Sequence, residues 1–150
     1  MNSDSEGSYD SSSHSDNYSA YTTEGEFEAK LPRIRENDPL MTRLTVDGNF
    51  ESVVNMPNDA WEQLGHDIAN NTHLQTVCFI DFALNDHIAS FLFRELTRSS
   101  SMKELTLQIN ELSAIGVRSM VPFLQNANNL KELDLTQNNL QLIGRVQFAI

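Results

Sequence analysis

Four histidines, one cysteine and a large excess of acids are the side chains here that could do chemistry, and their spacing decides what chemistry is open. His14, His66, His73 and His87 have no cysteine or carboxylate at ligand spacing, so a zinc site is not expected. Cys78 alternates with Val77 and Phe79 in a strand-like run and has no candidate base in its row. A thiol without a base or a cation to lower its pKa is a poor nucleophile and packs as a small apolar group. The six glycines are scattered and form no phosphate-cradling loop. No catalytic residue, cofactor or metal is expected, and the chain reads as a non-enzymatic recognition module.

Charge narrows the partners. The 150 residues carry a formal net charge of −11. Nucleic-acid affinity comes mainly from Lys and Arg neutralising phosphates, and anionic membrane surfaces make the same demand; neither is expected here. A single cysteine cannot form an internal disulfide, which suits a reducing compartment. Met1 to Asp10 has neither a basic start nor an apolar stretch, so no secretory signal is expected. A cytoplasmic or nuclear setting follows.

The residues that could bind a protein must be positioned by something, and the chain supplies it through a repeat. Met102, Leu105, Leu107, Asn110, Leu112, Gly116 and Met120 recur 28 positions on as Leu130, Leu133, Leu135, Asn138, Leu140, Gly144 and Phe148. The same step backwards gives Leu74, Val77, Phe79, Phe82, Leu84, Ile88 and Leu92. A looser copy begins at Met41 with Leu44, Val46 and Asn49, then an insertion around Glu51 to Asp59, then Leu64 and Ile68. Fixed self-similarity of this length signals a solenoid. Leu130 to Leu140 contains the complete motif L-x-x-L-x-L-x-x-N-x-L, which is that of leucine-rich repeats.

Each copy divides into a strand half and a helix half. Leu133-x-Leu135 has the alternation of a strand with one buried face. Val117, Met120, Val121 and Leu124 have the three-and-four spacing of an amphipathic helix, with Ser113 placed to cap it. Asp59-x-x-Glu62 reads as a capping box ahead of Leu64 and Ile68. The asparagine at the ninth place can satisfy backbone groups left open by the turn; Phe82 replaces it in the second copy and is expected to fill the core instead. The expected fold is α/β: a right-handed solenoid of about 3.5 to 4 repeats, parallel strands on the concave side and helices on the convex side. The repeats fall near 41–73, 74–101, 102–129 and 130–150, within a domain from 37 to 150.

A period of 28 with a full helix resembles the ribonuclease-inhibitor class of leucine-rich repeats, carried by Met102 through Leu124 and Leu130 through Leu140. Met102 departs from that class by standing in the first leucine's place. Asn37-Asp38-Pro39-Leu40 and the Asn71-Thr72-His73-Leu74 junction also resemble the repeat domain of tropomodulins, the actin pointed-end cappers. These resemblances imply an intracellular protein-recognition module, with regulation of a small GTPase or of the actin cytoskeleton as the activities the class suggests.

Spacing places twelve side chains on the concave face: Arg43, Thr45 and Asp47; Thr76, Cys78 and Ile80; Glu104, Thr106 and Gln108; Glu132, Asp134 and Thr136. Neighbouring strands lie about 5 Å apart, so Glu104 and Glu132 stack as like charges beside Asp134. A basic segment of a protein partner would relieve that repulsion. Arg43, Asp47, Thr76, Glu104, Thr106, Gln108, Glu132, Asp134 and Thr136 are the candidate binding residues.

The two ends differ in composition. Residues 1–36 are Ser-rich and acidic, and up to Lys30 the only base faces seven acids; such a stretch is expected to stay disordered. Within it, Ser3 and Ser13 have acids three residues on, the pattern acid-directed kinases favour. At the other end Leu133, Leu135, Leu140 and Phe148 would lie on an uncovered face. Solenoids close with a polar cap, so three readings are open: the array continues in a longer chain, which is the favoured one, this end self-associates, or a small exposed face is tolerated. The first copy, with Trp61, reads as the N-terminal cap.

Overall fold

The computed structural model describes residues 22–141. Its elements, in chain order, are α1 (Glu24–Arg35), β1 (Arg43–Asp47), α2 (Glu51–Val54), α3 (Asn58–Asn70), β2 (Thr76–Ile80), α4 (Asp86–Leu96), β3 (Glu104–Thr106), α5 (Ala114–Asn126) and β4 (Glu132–Asp134). The strands form one parallel sheet in the order β1-β2-β3-β4. Leu44 pairs with Val77, Val77 with Leu105 and Leu105 with Leu133. The step of 28 in the sequence is therefore the register of the sheet from β2 onward.

The sheet buries its leucine face against the helices. Leu44, Val46, Val77, Phe79 and Leu105 join Trp61, Leu64, Ile68, Leu92 and Phe123 in one core. Each such side chain withdrawn from water contributes on the order of 1.5–3 kcal/mol. The helices pack in series, α1 on α3, α3 on α4 and α4 on α5. Gly65 makes the second contact possible, since a Cβ there would lie 2.7 Å from the carbonyl oxygen of Leu92.

Turns follow the motif's logic, with one twist. Asn110 accepts from the backbone N–H of Phe82 and Leu84 and donates to the carbonyls of Phe79 and Gln108. Each asparagine thus completes the turn of the copy before it, as Asn138 also does for Leu112 and Leu107. Phe82, fully buried, stacks on Phe79 with ring centroids 4.7 Å apart and meets Trp61 and Phe27 edge-on. It fills the core, and the turn in which it stands is completed by Asn110 of the next copy.

The expected disorder through residue 36 does not hold for the described part of that stretch. Glu24–Arg35 is helical, and Thr23 and Glu26 form a capping box. Phe27 and Ile34 are 2% and 1% exposed within the common core. Two apolar anchors, a cap and the ion pair of Arg35 with the nearly buried Asp67 offset the entropy that the acidic composition alone could not. Residues 1–21, with Ser3 and Ser13, lie outside the described residues, as do 142–150, with Phe148 and the expected end of the last helix.

α1 also takes over the capping role expected of the first copy. Thr22 donates its N–H to Asp47 O, and its hydroxyl accepts from Asp47 N and donates to Thr45 O. Lys30 Nζ donates to Thr45 O as well. An edge strand presents unpaired backbone groups that invite another chain; the outer edge of β1 is closed by these bonds. The expected capping box at Asp59 is not formed. α3 begins at Asn58 after Pro57, so Asp59 falls inside the first turn and Glu62 pairs with Arg94 instead. Ser113 does cap α5, assisted by Asp86, whose carboxylate accepts from the N–H of Ser113 and Gly116. The inserted residues form the short helix α2.

Candidate interaction surface

The candidate residues alternate with the buried leucines and so share the sheet face opposite the helices. Across the first row the register runs Arg43, Thr76, Glu104, Glu132. Glu104 and Glu132 are neighbours, and Asp134 pairs with Thr106. Arg43 Nη2 stands 3.8 Å from Glu104 Oε2, two strands away, and Thr76 donates to the same oxygen at 3.0 Å. This reach over the intervening strand covers Thr76, which is only 7% exposed. Thr76 is therefore a support for Glu104 and is not available to a partner.

Further along the face, Asp134 is held from two directions. It accepts from the backbone N–H of Thr136 at 2.9 Å and from Gln108 Nε2. These bonds, the Thr136 N–H foremost, hold its carboxyl below the ordinary aspartate range. Gln108 and Thr136, both candidates, thus orient a carboxylate as much as they present themselves. Thr106 is half-buried between Cys78 and Asp134. Arg43 and Glu132 are exposed, Asp47 is half-buried, and the backbone of Asp47 is engaged by Thr22.

The face thus has two halves. On β1 and β2 the side chains are covered or engaged, with Cys78 9% exposed and Thr45 O bonded to α1. On β3 and β4 carboxylates point outward, with Glu104 bonded to Thr76 and Asp134 bonded to Gln108. The stacked acids are consequently less unbalanced than spacing suggested. Glu132 is the acid of the strip for which no such bond is found among the described residues.

A second feature is not legible from side-chain spacing. One matching place beyond the strands has left-handed backbone: Gly48 (φ 137) and Asp81 (φ 49), directly after β1 and β2, and Ile109 (φ 54), three residues past the end of β3, with Gln137 (φ 58) at the same place in the last copy. The first three N–H groups each donate to the carbonyl that precedes the corresponding residue of the next copy: Gly48 to Ile80 O, Asp81 to Gln108 O, Ile109 to Thr136 O. Gly48 was the visible clue, being the residue type that adopts this conformation without strain. Its partners in the row conceal the demand.

Elsewhere the histidines are dispersed. His66 Nε2 lies 2.8 Å from Asn70 Nδ2, and His87 Nε2 3.2 Å from Asn58 Oδ1. Among the described residues no group of three or more His, Cys, Asp or Glu is placed to hold a metal ion. No helix among them is long and apolar enough to cross a membrane.

No family model matches the chain. Human leiomodin-3 is 24% identical to it over 119 residues, covering 79% of this chain and 20% of that protein, and the mouse leiomodin-3 match has the same identity and coverage. The chain thus spans about a fifth of the length of these curated relatives. Among solved structures, leiomodin-1 actin-binding site 2 superposes with a TM-score of 0.64 at 24% identity, covering 79% of this chain and 66% of that one. The C-terminal domain of the Caenorhabditis elegans tropomodulin gives a TM-score of 0.63 at 17% identity, covering 79% and 69%. At these identities the likeness shows the fold. Of the two resemblances drawn from the sequence, it supports the tropomodulin repeat domain rather than the ribonuclease-inhibitor class.

Proposed function

We propose that this chain is a non-catalytic actin-binding repeat domain of the cytoskeleton. The observation that carries the reading is the superposition, over 79% of the chain, on a leiomodin fragment whose name is that of an actin-binding site. The sequence match to leiomodin-3 covers the same share of the chain. On this reading the sheet and helices belong to a right-handed solenoid of 3.5 to 4 repeats. Its concave strand face and strand-end turns supply the contacts, in the cytoplasm, without cofactor or metal.

The exposed carboxylates of β3 and β4 favour a partner segment carrying Lys or Arg, and such contacts weaken with salt. Co-sedimentation with actin filaments, at two ionic strengths, tests the proposal. The chain is expected to pellet with filaments in a saturable manner, more strongly at low salt. The triple variant Glu104→Lys, Glu132→Lys, Asp134→Lys is expected to lose about tenfold or more in affinity. Absence of saturable binding by the unmodified chain, to filaments and monomers alike, would overturn the reading.

A further inference from the structure

We propose that Ile109 is the apolar anchor of this chain's protein-binding edge, seated in a shallow apolar pocket of actin bordered by basic side chains. The inference rests on the actin-binding reading and adds to it the contact residue and the chemistry it meets.

Ile109 holds a left-handed backbone conformation. The turn after each strand needs a left-handed residue, because its N–H must reach the next copy's carbonyl. Gly48 and Asp81 suit that conformation, since glycine has no Cβ and aspartate can bond locally. Isoleucine, branched at Cβ, is among the residues least suited to positive φ. At φ 54 Ile109 is the misfit of the row. Strain of this kind persists where the surroundings enforce it, and it concentrates at functional positions.

Among the described residues the fold receives nothing in return. Ile109 is 45% exposed and belongs neither to the buried core nor to the partly buried apolar residues packed against it. An asparagine or glycine at this place would keep the backbone bond to Thr136 O, remove the strain and hide an apolar surface from water. The residue in place is costly to the free chain on both counts, so its use lies in a contact made outside it. Aliphatic anchors seated in a partner's pocket, within a polar rim, are the usual centre of binding energy.

The surroundings define that rim. Asp81 and Gln137 flank Ile109 in the row, and Glu111 follows two residues on; all three are exposed. The flanking charges are acidic, within a chain of net charge −11. A complementary pocket is therefore apolar at its floor and basic at its border.

Two measurements on Ile109→Asn and Ile109→Gly, in the full chain, test this. Thermal unfolding followed by circular dichroism is expected to show a higher Tm for Ile109→Asn. Filament co-sedimentation is expected to show at least a tenfold loss of affinity for both variants. That opposition, firmer fold and weaker binding, is the signature. Ile115→Asn, at the other strongly exposed isoleucine among the described residues (68% exposed, on α5), is expected to leave binding unchanged. If the unmodified chain binds and the Ile109 variants bind equally well, the anchor is overturned while the actin reading stands. A lower Tm for Ile109→Asn overturns the strain premise, and an equal loss in Ile115→Asn overturns the assignment to this turn. Failure of the unmodified chain to bind overturns both proposals.

Discussion

The two ends of the sheet carry the same motif and opposite burial. At β1 the match to the leucine-rich consensus is poor, yet Leu44 and Val46 are completely buried. At β4 the match is complete, yet Leu133 is 37% exposed and Leu140 38%. The difference lies in what stands against each strand. β1 has α1 along its outer edge and Phe27 and Ile34 in its core, whereas β4 has β3 on one side and no element on the other among the described residues. A repeat motif specifies geometry; burial is conferred by the neighbour. In a stacked array stability is close to a sum over units and their interfaces, so each end's strength is set by its cover.

The largest test of this contrast truncates one apolar side chain at each end. Phe27→Ala is expected to cost about 3–5 kcal/mol in urea unfolding, as for other buried phenylalanines. Leu133→Ala is expected to cost less than about 1 kcal/mol, because a part-exposed leucine loses little transfer energy and leaves no closed cavity. Similar losses would show that something covers β4 in solution.

The asparagines sharpen the comparison with identical chemistry. Asn110 is 7% exposed and makes four hydrogen bonds, so Asn110→Ala leaves buried backbone groups unpaired. A loss of about 2–3 kcal/mol is expected. Asn138 makes similar bonds but sits nearer solvent. Water can replace it, and Asn138→Ala is expected to cost about 1 kcal/mol or less.

Acid should weaken both ends. Glu26 is held below its ordinary range chiefly by the Thr23 N–H and then by the Thr23 hydroxyl, and Asp134 chiefly by the Thr136 N–H. A carboxylate whose pKa is lower folded than unfolded adds stability above the unfolded value and loses it as pH falls through the folded one. The urea midpoint should therefore drop as pH falls below about 4, and Glu26→Gln and Asp134→Asn should each flatten that decline. Both groups are at the surface, so the changes should be small. The smallest effect belongs to Ser99, whose hydroxyl is buried without a hydrogen-bond partner among the described residues. Ser99→Ala is expected to leave the denaturation midpoint unchanged or slightly raised, since no bond is lost.

Much of this was written in the sequence, and the omissions have physical causes. The 28-residue step fixed the pairing of Val77 with Leu105 and Leu105 with Leu133 because register and repeat are the same quantity in a parallel array. α1 was concealed by its own charges. Thr23-x-x-Glu26 and the spacing of Phe27, Leu31 and Ile34 were legible helix signals, but they lay in an acidic run whose average composition argues for disorder. Among the candidate residues, alternation identified the correct face. It could not show that Arg43 and Glu104 reach across Thr76, because that depends on side-chain length across two strands. The role of Ile109 is not legible in the sequence, because nothing in side-chain periodicity reports backbone handedness.

The backward reach of the asparagines also has a consequence in time. On the ribosome the chain emerges from its N-terminus, and the N–H of Phe82 must wait for Asn110, 28 residues later. Leu112 waits in the same way for Asn138, 26 residues on. Each unit leaves the exit tunnel with its turn unfinished and is locked only by its successor. At synthesis rates of about 5–20 residues per second, that delay is on the order of one to several seconds, a recurring interval in which the newest strand is most open to chaperones and to mispairing.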